Sequence, residues 1–241
     1  MRVPRIFQQQ DLAVGTTIEL DERAFKHLIQ VLRFSEGREL ILFNGLGGEY
    51  HAKLSSVSKR SAQAHIFSFD NISRESSLEI HLAQCISKGD RFDFAIQKAV
   101  ELGVNSITPL ISARSQLKLN EERRDKKRQH WQQVAISACE QSGRTLIIRI
   151  YEPAGLADYL AQAKAQTRLL LHPEGSKKLS GIKLGHSFDL LIGPEGGFEE
   201  KEIALAQRAQ FEIIRLGERI LRTETAPIVV ISALHALGKS F

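Results

Sequence analysis

Arg222, Thr223, Glu224 and Thr225 stand together in the run Leu216-Gly217-Glu218-Arg219-Ile220-Leu221-Arg222-Thr223-Glu224-Thr225-Ala226-Pro227. A guanidinium here could stabilise negative charge or hold a phosphate, and a carboxylate could accept a proton. Ionisable groups between apolar segments are costly to hold without a partner. Two further loops carry similar promise: Leu171-His172-Pro173-Glu174-Gly175 and Ile192-Gly193-Pro194-Glu195-Gly196-Gly197-Phe198. Their glycines permit positive φ and close backbone approach, and their prolines fix loop shape. Backbone N–H and C=O groups in such loops can read the edge of an adenine. The three loops together predict a small-molecule pocket rather than a set of simple turns. A Walker phosphate loop is absent, as is a G-x-G-x-x-G turn after a first strand, so the usual dinucleotide mode is disfavoured.

The elements that must position these loops follow from periodicity. Phe211 to Arg215 reads as a strand before the opening run, and Ile228 to Leu234 as a buried helix after it. From Leu78 strands alternate with helices. Strands are expected at Leu78 to Cys85, Ser106 to Leu110, Leu146 to Ile150, Arg168 to Leu171 and Phe188 to Ile192. Helices are expected at Arg91 to Leu102, about Asn120 to Ser142, about Leu156 to Ala165 and about Glu199 to Gln210, with Gly103 and Gly143 as C-terminal caps. This alternation predicts an α/β domain with a mostly parallel sheet, whose strand ends carry the three loops. The first third reads as β instead, with short runs at Ile18 to Leu20, Glu39 to Phe43, Glu49 to Leu54 and Ala62 to Phe67. Asn44 to Gly48 reads as a hairpin loop, Glu22 to Leu32 as a helix capped by Asp21, and the whole as a small barrel. Asp70 to Ser77 reads as a linker.

Composition sets bounds around this picture. The 241 residues suffice for one large or two modest domains. Lys and Arg outnumber Asp and Glu by 33 to 28, a mild excess that permits a polyanionic partner without requiring one. Cys85 and Cys139 fall in different elements and read as buried free thiols, and no metal-ligand spacing is visible. The first residues lack a signal-peptide apolar stretch and no segment approaches membrane-spanning length, so a cytoplasmic protein is expected.

The Ile192 to Phe198 and Leu216 to Ala226 motifs resemble those of the SPOUT class of RNA methyltransferases, and more closely those of the ribosomal RNA small subunit methyltransferase E family. The resemblance extends to Lys88-Gly89-Asp90-Arg91, Gln97 to Val104, Cys139 to Arg144, Pro4 to Phe7 and His27 to Arg33. It implies a PUA-like RNA-binding barrel over residues 1–72 and a methyltransferase domain with a deep trefoil knot over residues 73–241. It also implies S-adenosylmethionine as cofactor, a homodimer, and methylation of uracil N3 at one position of 16S rRNA, in free RNA or in the assembled small subunit. By resemblance the cofactor is held by Leu171, His172, Ile192, Gly193, Pro194, Glu195, Gly197, Leu216, Gly217, Ile220, Leu221, Thr225 and Ala226. Catalysis falls to Arg222, Glu195 and Glu224, and RNA contact to Arg2, Arg5, Arg33, Lys88 and Arg91.

Each assignment has an ordinary alternative. Arg222 could instead pair with Glu224 or Glu195, and Glu224 could be a first-turn carboxylate favoured by the helix dipole. Thr223 and Thr225 could cap a helix that Pro227 begins. His172, preceding a proline, reads as a loop-shaping residue whose backbone faces the ligand. Lys88 and Arg91 could be solvated charge at a helix start, although cations there oppose the dipole. Arg2, Arg5 and Arg33 join Arg38, Lys53, Lys59 and Arg60 in a loose basic set suited to phosphate contacts. Trp131 reads as a core or interface anchor, and the alternating charges of Glu121 to Arg128 as a solvated helix face. A non-catalytic RNA-binding assembly factor is a second functional reading, which the intact glycine loops oppose. A metabolic enzyme for a small phosphorylated substrate is a third, opposed by the missing phosphate fingerprints.

Overall fold

The computed structural model describes residues 3–115, 121–183 and 185–238, with Glu121 described by its backbone. Arg2 and the expected helix start at Asn120 lie outside the described residues. The chain divides into two compact units, residues 1–75 with 139–147, and residues 76–138 with 148–241. The segment 139–147, expected in the second domain, therefore groups with the first.

In the first unit, β1 (Arg5–Phe7), β2 (Thr17–Glu19), β3 (Glu39–Phe43), β4 (Glu49–Val57) and β5 (Ala62–Asp70) form one sheet in the order β1-β3-β4-β5-β2. Alternation decides which face is inside: Ala62, Ala64 and Ile66 of β5 are buried while Gln63, His65 and Phe67 between them are exposed. The buried face joins Leu28, Leu40, Leu42, Ala52 and Leu54 in one core. The helix α1 (Glu22–Phe25) starts where expected, with the Asp21 side chain accepting from the Ala24 amide, but continues over Lys26–Val31 as a wider π-helical turn. The Asn44 to Gly48 hairpin loop joins β3 to β4 as expected.

A buried ion network ties the ends of this unit together. The Arg5 side chain is only 5% exposed and spends every N–H it has. Nε and Nη2 reach Glu49 Oε1 at 2.8 and 2.7 Å, Nη1 reaches the Cys139 and Glu140 carbonyls, and Nη2 also reaches the Arg144 carbonyl. Burial lowers the Arg5 pKa, and Glu49 opposes that shift. Arg74 donates to the same carboxylate at 2.8 Å and to the Gly143 carbonyl, and Arg144 pairs with Glu75. The expectation that Arg5 contacts RNA is thus corrected, because its guanidinium is buried and fully committed. The expected linker Asp70 to Ser77 likewise holds two ion-paired residues, Arg74 and Glu75.

The second unit is an α/β layer structure. Its strands are β6 (Glu79–Cys85), β7 (Ser106–Ile111), β8 (Arg149–Ile150), β9 (Ala154–Gly155), β10 (Thr167–Leu171), β11 (Lys177–Lys178), β12 (Ser187–Ile192) and β13 (Glu212–Arg215). They run in the order β11-β13-β10-β12-β6-β7-β8, with β9 also on β7, and every pairing is parallel. The central strand β12 is buried from Phe188 to Ile192, as expected where helices cover both faces.

The helices are α2 (Arg91–Glu101), α3 (Glu121–Ser142), α4 (Leu156–Gln162), α5 (Glu200–Arg208) and α6 (Ala226–Leu237). In α2 the buried residues Phe92, Ala95, Ile96, Ala99 and Val100 fall at i, i+3, i+4, i+7 and i+8, one continuous apolar stripe. Gly103 and Gly143 end α2 and α3 at φ of +89° and +90°, as the sequence predicts. Trp131 is a core residue, 1% exposed and edge-on to Phe92 at 4.8 Å between ring centres. Cys85 and Cys139 are buried and form no disulfide. No helix among the described residues is long and apolar enough to cross a membrane.

Candidate functional site

The carboxyl ends of β10, β12 and β13 lie side by side, because β12 and β13 flank β10 in register. The loops that leave them line one cavity of about 320 Å³. Leu171, His172 and Pro173 come from the first loop. Ile192, Gly193, Pro194, Glu195, Gly197 and Phe198 come from the second. Ile214 and Arg215 end β13, Leu216, Gly217 and Arg219 to Glu224 come from the third loop, and Ala226 and Arg91 complete the wall. Every residue expected to hold a cofactor is in this lining except Thr225, and all three expected catalytic residues are in it. The sequence reading missed Pro173, Phe198, Ile214, Arg215, Arg219 and Thr223 as wall residues.

Local chemistry explains each loop. At the end of β10 the His172 amide donates to the Ile214 carbonyl at 3.0 Å, and its ring Nδ1 accepts from the Glu174 amide at 3.2 Å. His172 therefore shapes the turn with both backbone and ring. Gly175 lies so close to β13 that a Cβ would sit 2.5 Å from the Ile214 carbonyl carbon, so only glycine fits. After β12 the Gly197 amide donates back to the Pro194 carbonyl at 2.9 Å, closing a tight turn.

The third loop returns from β13 across the ends of β12 and β6. Thr223 Oγ1 donates to the Gly193 carbonyl at 2.8 Å, and Gln84 Nε2 of β6 donates to the Thr223 carbonyl at 2.9 Å. Thr225 and Ala226 amides both donate to the Arg222 carbonyl, turning the chain into α6 with Pro227 in its first turn. Neither threonine caps α6 through its side chain: Thr225 occupies the cap position without such a bond, and the Thr223 hydroxyl is spent on Gly193.

Charge is unevenly settled around the cavity. Glu195 pairs with Arg91 at 3.2 Å, which gives a cation at a helix start a counter-charge. Arg215 pairs with Glu218, also at 3.2 Å. Arg222 is 76% exposed and stands 4.0 Å from Glu224, too far for a hydrogen bond. Glu224 is 14% exposed, and its Oε2 is buried with no hydrogen-bond partner. A buried carboxylate oxygen without a donor is unusual and invites one from a ligand. Lys88 and Arg33 are exposed and are not among the residues lining the cavity.

The lining suits a flat heterocycle with a polar edge. Leu171, Ile192, Leu216 and Leu221 supply apolar surface, and the loop backbones supply donors and acceptors. Gly197 and Gly217 stand at φ of +68° and +81°, and a Cβ at either would meet no atom within 4 Å, so both keep backbone open to a ligand.

Comparisons with known proteins converge. Residues 74–235 match the family model of an RNA methyltransferase domain, and residues 20–67 that of an RNA methyltransferase PUA domain. The chain is 30% identical over 236 residues to the ribosomal RNA small subunit methyltransferase E of Bacillus subtilis, covering 94% of this chain and 92% of that one. It is 34% identical to the protein of the same name from Buchnera aphidicola of Schizaphis graminum, covering 97% and 96%. A methyltransferase of Legionella pneumophila, solved in complex with the cofactor SAM, superposes with a TM-score of 0.96 at 42% identity over 98% of both chains. A small subunit methyltransferase E of Neisseria gonorrhoeae, solved bound to S-adenosyl methionine, superposes at 0.91 with 38% identity over 98% of both.

Proposed function

The chain belongs to the ribosomal RNA small subunit methyltransferase E family, and on that premise we propose that it methylates uracil N3 at one position of 16S rRNA with S-adenosylmethionine as donor. The observation that carries the reading is the convergence of three glycine-bearing strand-end loops on one cavity that Arg222 and Glu224 also line. The open backbone at Gly197 and Gly217 and the apolar walls fit the cofactor. When bound, the cofactor supplies the methyl group on a sulfonium centre.

The chain's own residues supply the rest. A neutral imide nitrogen has no available lone pair, so the N3 proton must leave. Glu224, a lining residue with no hydrogen bond on Oε2, accepts it with its carboxylate. Glu195 is the weaker candidate, since Arg91 already holds its Oε1. Arg222, exposed at the cavity mouth, stabilises the charge that develops on the uracil carbonyls. The backbones of Leu171, His172, Ile192, Gly193, Gly197, Leu216 and Leu221 cradle the cofactor, with Pro194, Gly217, Ile220 and Ala226 completing the enclosure. Thr225 contributes the turn into α6 rather than a wall. Arg91 meets RNA from the cavity wall, Lys88 meets it three residues before, and Arg33 meets it on the first unit.

The same reading carries a trefoil knot, a homodimer and action on 16S rRNA, free or in the small subunit. The return of the chain from β13 over β12 to β6 supports the knot. Primer extension across 16S rRNA tests the target, because an N3-methyl blocks Watson–Crick pairing. The expected stop is present in cells with the gene and lost on deletion. A stop that survives deletion rejects the assignment.

A further inference from the structure

Gln84 is fully buried at the end of β6, next in register to Ile192 of β12. A fully buried amide side chain needs a partner. Its Nε2 donates to the Thr223 carbonyl at 2.9 Å, while its Oε1 has no partner. The reason the Thr223 carbonyl needs this donor lies four residues on. Residue 227 would supply the next backbone N–H along a helix, but Pro227 has none. Gln84 replaces the missing donor. On its other side Thr223, 7% exposed, donates its hydroxyl to the Gly193 carbonyl at 2.8 Å. Gln84, Thr223 and Gly193 thus form a chain of bonds that joins the ends of β6 and β12 to the loop that carries Arg222 and Glu224.

We propose that Gln84 is a positioning residue for methyl transfer: it fixes the Thr223 peptide and so sets where the flanking Arg222 and Glu224 side chains stand in the cavity. This rests on the function proposed above. Glu224 is next to the clamped peptide, and its Oε2 has no other bond to hold it in place. Misplacing a reacting group by about 1 Å costs about 100-fold in rate. Loss of the clamp therefore acts on turnover. The part of the cofactor wall supplied by Leu171, His172, Ile192 and Gly197 has no bond to the Gln84 side chain or to Thr223 and stays formed.

The test uses the full-length protein with Gln84→Leu, Thr223→Val and Thr223→Ser. Expected are losses of about 100-fold in kcat for Gln84→Leu and Thr223→Val, with the S-adenosylmethionine dissociation constant and the KM for RNA little changed in Gln84→Leu. Thr223→Ser, which keeps the hydroxyl, retains most of the rate. Amide hydrogen exchange gives a readout without turnover: the Thr225 and Ala226 amides, bonded to the Arg222 carbonyl, exchange faster in Gln84→Leu and Thr223→Val. If Gln84→Leu fails to fold, the contrast between Thr223→Val and Thr223→Ser decides. The proposal is overturned if Gln84→Leu folds and keeps wild-type turnover and exchange, or if Thr223→Ser is as slow as Thr223→Val. A wild-type protein that methylates nothing counts against the function instead, and the exchange measurement then still judges the clamp.

Discussion

Glu49→Ala should unfold the first unit at a much lower temperature while leaving the surface of that unit unchanged. The carboxylate is 5% exposed and accepts from Arg5 at 2.8 and 2.7 Å and from Arg74 at 2.8 Å. Removing it leaves Arg5, also 5% exposed, with a buried charge and two N–H groups that have lost their acceptor. Breaking a buried pair in this way costs about 3–5 kcal/mol. Arg74 is 42% exposed, so water takes over its share and adds about 0–1 kcal/mol. For a unit of this size each kcal/mol moves the midpoint by about 4–8 °C, which gives a fall of about 12 °C or more. Glu49→Gln keeps an acceptor and should fall less. Calorimetric melts of the three proteins, without RNA, provide the assay. If Glu49→Ala melts within about 2 °C of wild type, the network is not structural and Arg5 is free for another role.

Arg222→Ala should lower turnover strongly yet leave stability within about 0.5 kcal/mol, because the side chain is 76% exposed; equal losses in both would make it structural. Glu224→Gln should lower kcat by about 100- to 10,000-fold with cofactor binding retained, and a near-wild-type rate would move the proton acceptor elsewhere. His81 is half-buried and stacked on Tyr159, with Ser106 and Thr108 at its two ring nitrogens, and desolvation lowers its pKa against the pull of Asp189. The unfolded chain therefore takes up this proton first. The stabilisation is full above pH 6.5 and declines as pH falls below that value towards the depressed folded pKa. Denaturant melts between pH 7.5 and 5 should show a flatter profile for His81→Asn, and parallel profiles would reject the assignment. Burial pushes the Cys85 thiol up to about 12, so the native protein should resist iodoacetamide at pH 8 at this position. Peptide mass mapping that finds rapid Cys85 alkylation would contradict that.

The site was legible because loop chemistry is local. Gly193-Pro194-Glu195-Gly196-Gly197 and Leu216 to Thr225 announce unusual backbone at strand ends, and the α/β rhythm says that such ends share one edge of the sheet. What stayed hidden depends on partners distant in sequence. Arg5 looks like any terminal basic residue until Glu49 and the 139–144 carbonyls are placed around it, 44 and more than 130 residues away. Gln84 has nothing near it in sequence to mark it, and its partner is 139 residues on. Thr225 had the right type and place for a cap, but the turn around Arg222 satisfies the chain through its backbone instead. The π-helical turn at Lys26–Val31 leaves no trace in hydrophobic spacing that separates it from an α-helix. The pairing of 139–147 with the first unit is likewise set by Arg5, Arg23 and Arg74 contacts rather than by any break in sequence pattern.

Nucleoside analysis of 16S rRNA gives the most direct test of the central claim. Small subunits from a strain lacking the gene are incubated with the purified protein and S-adenosylmethionine carrying a labelled methyl group, then digested and separated by liquid chromatography with mass detection. The label should appear as 3-methyluridine, and Glu224→Gln should abolish most of it. Label on any other base or on the ribose, or no transfer by the wild-type protein to either subunits or free 16S rRNA, would contradict it.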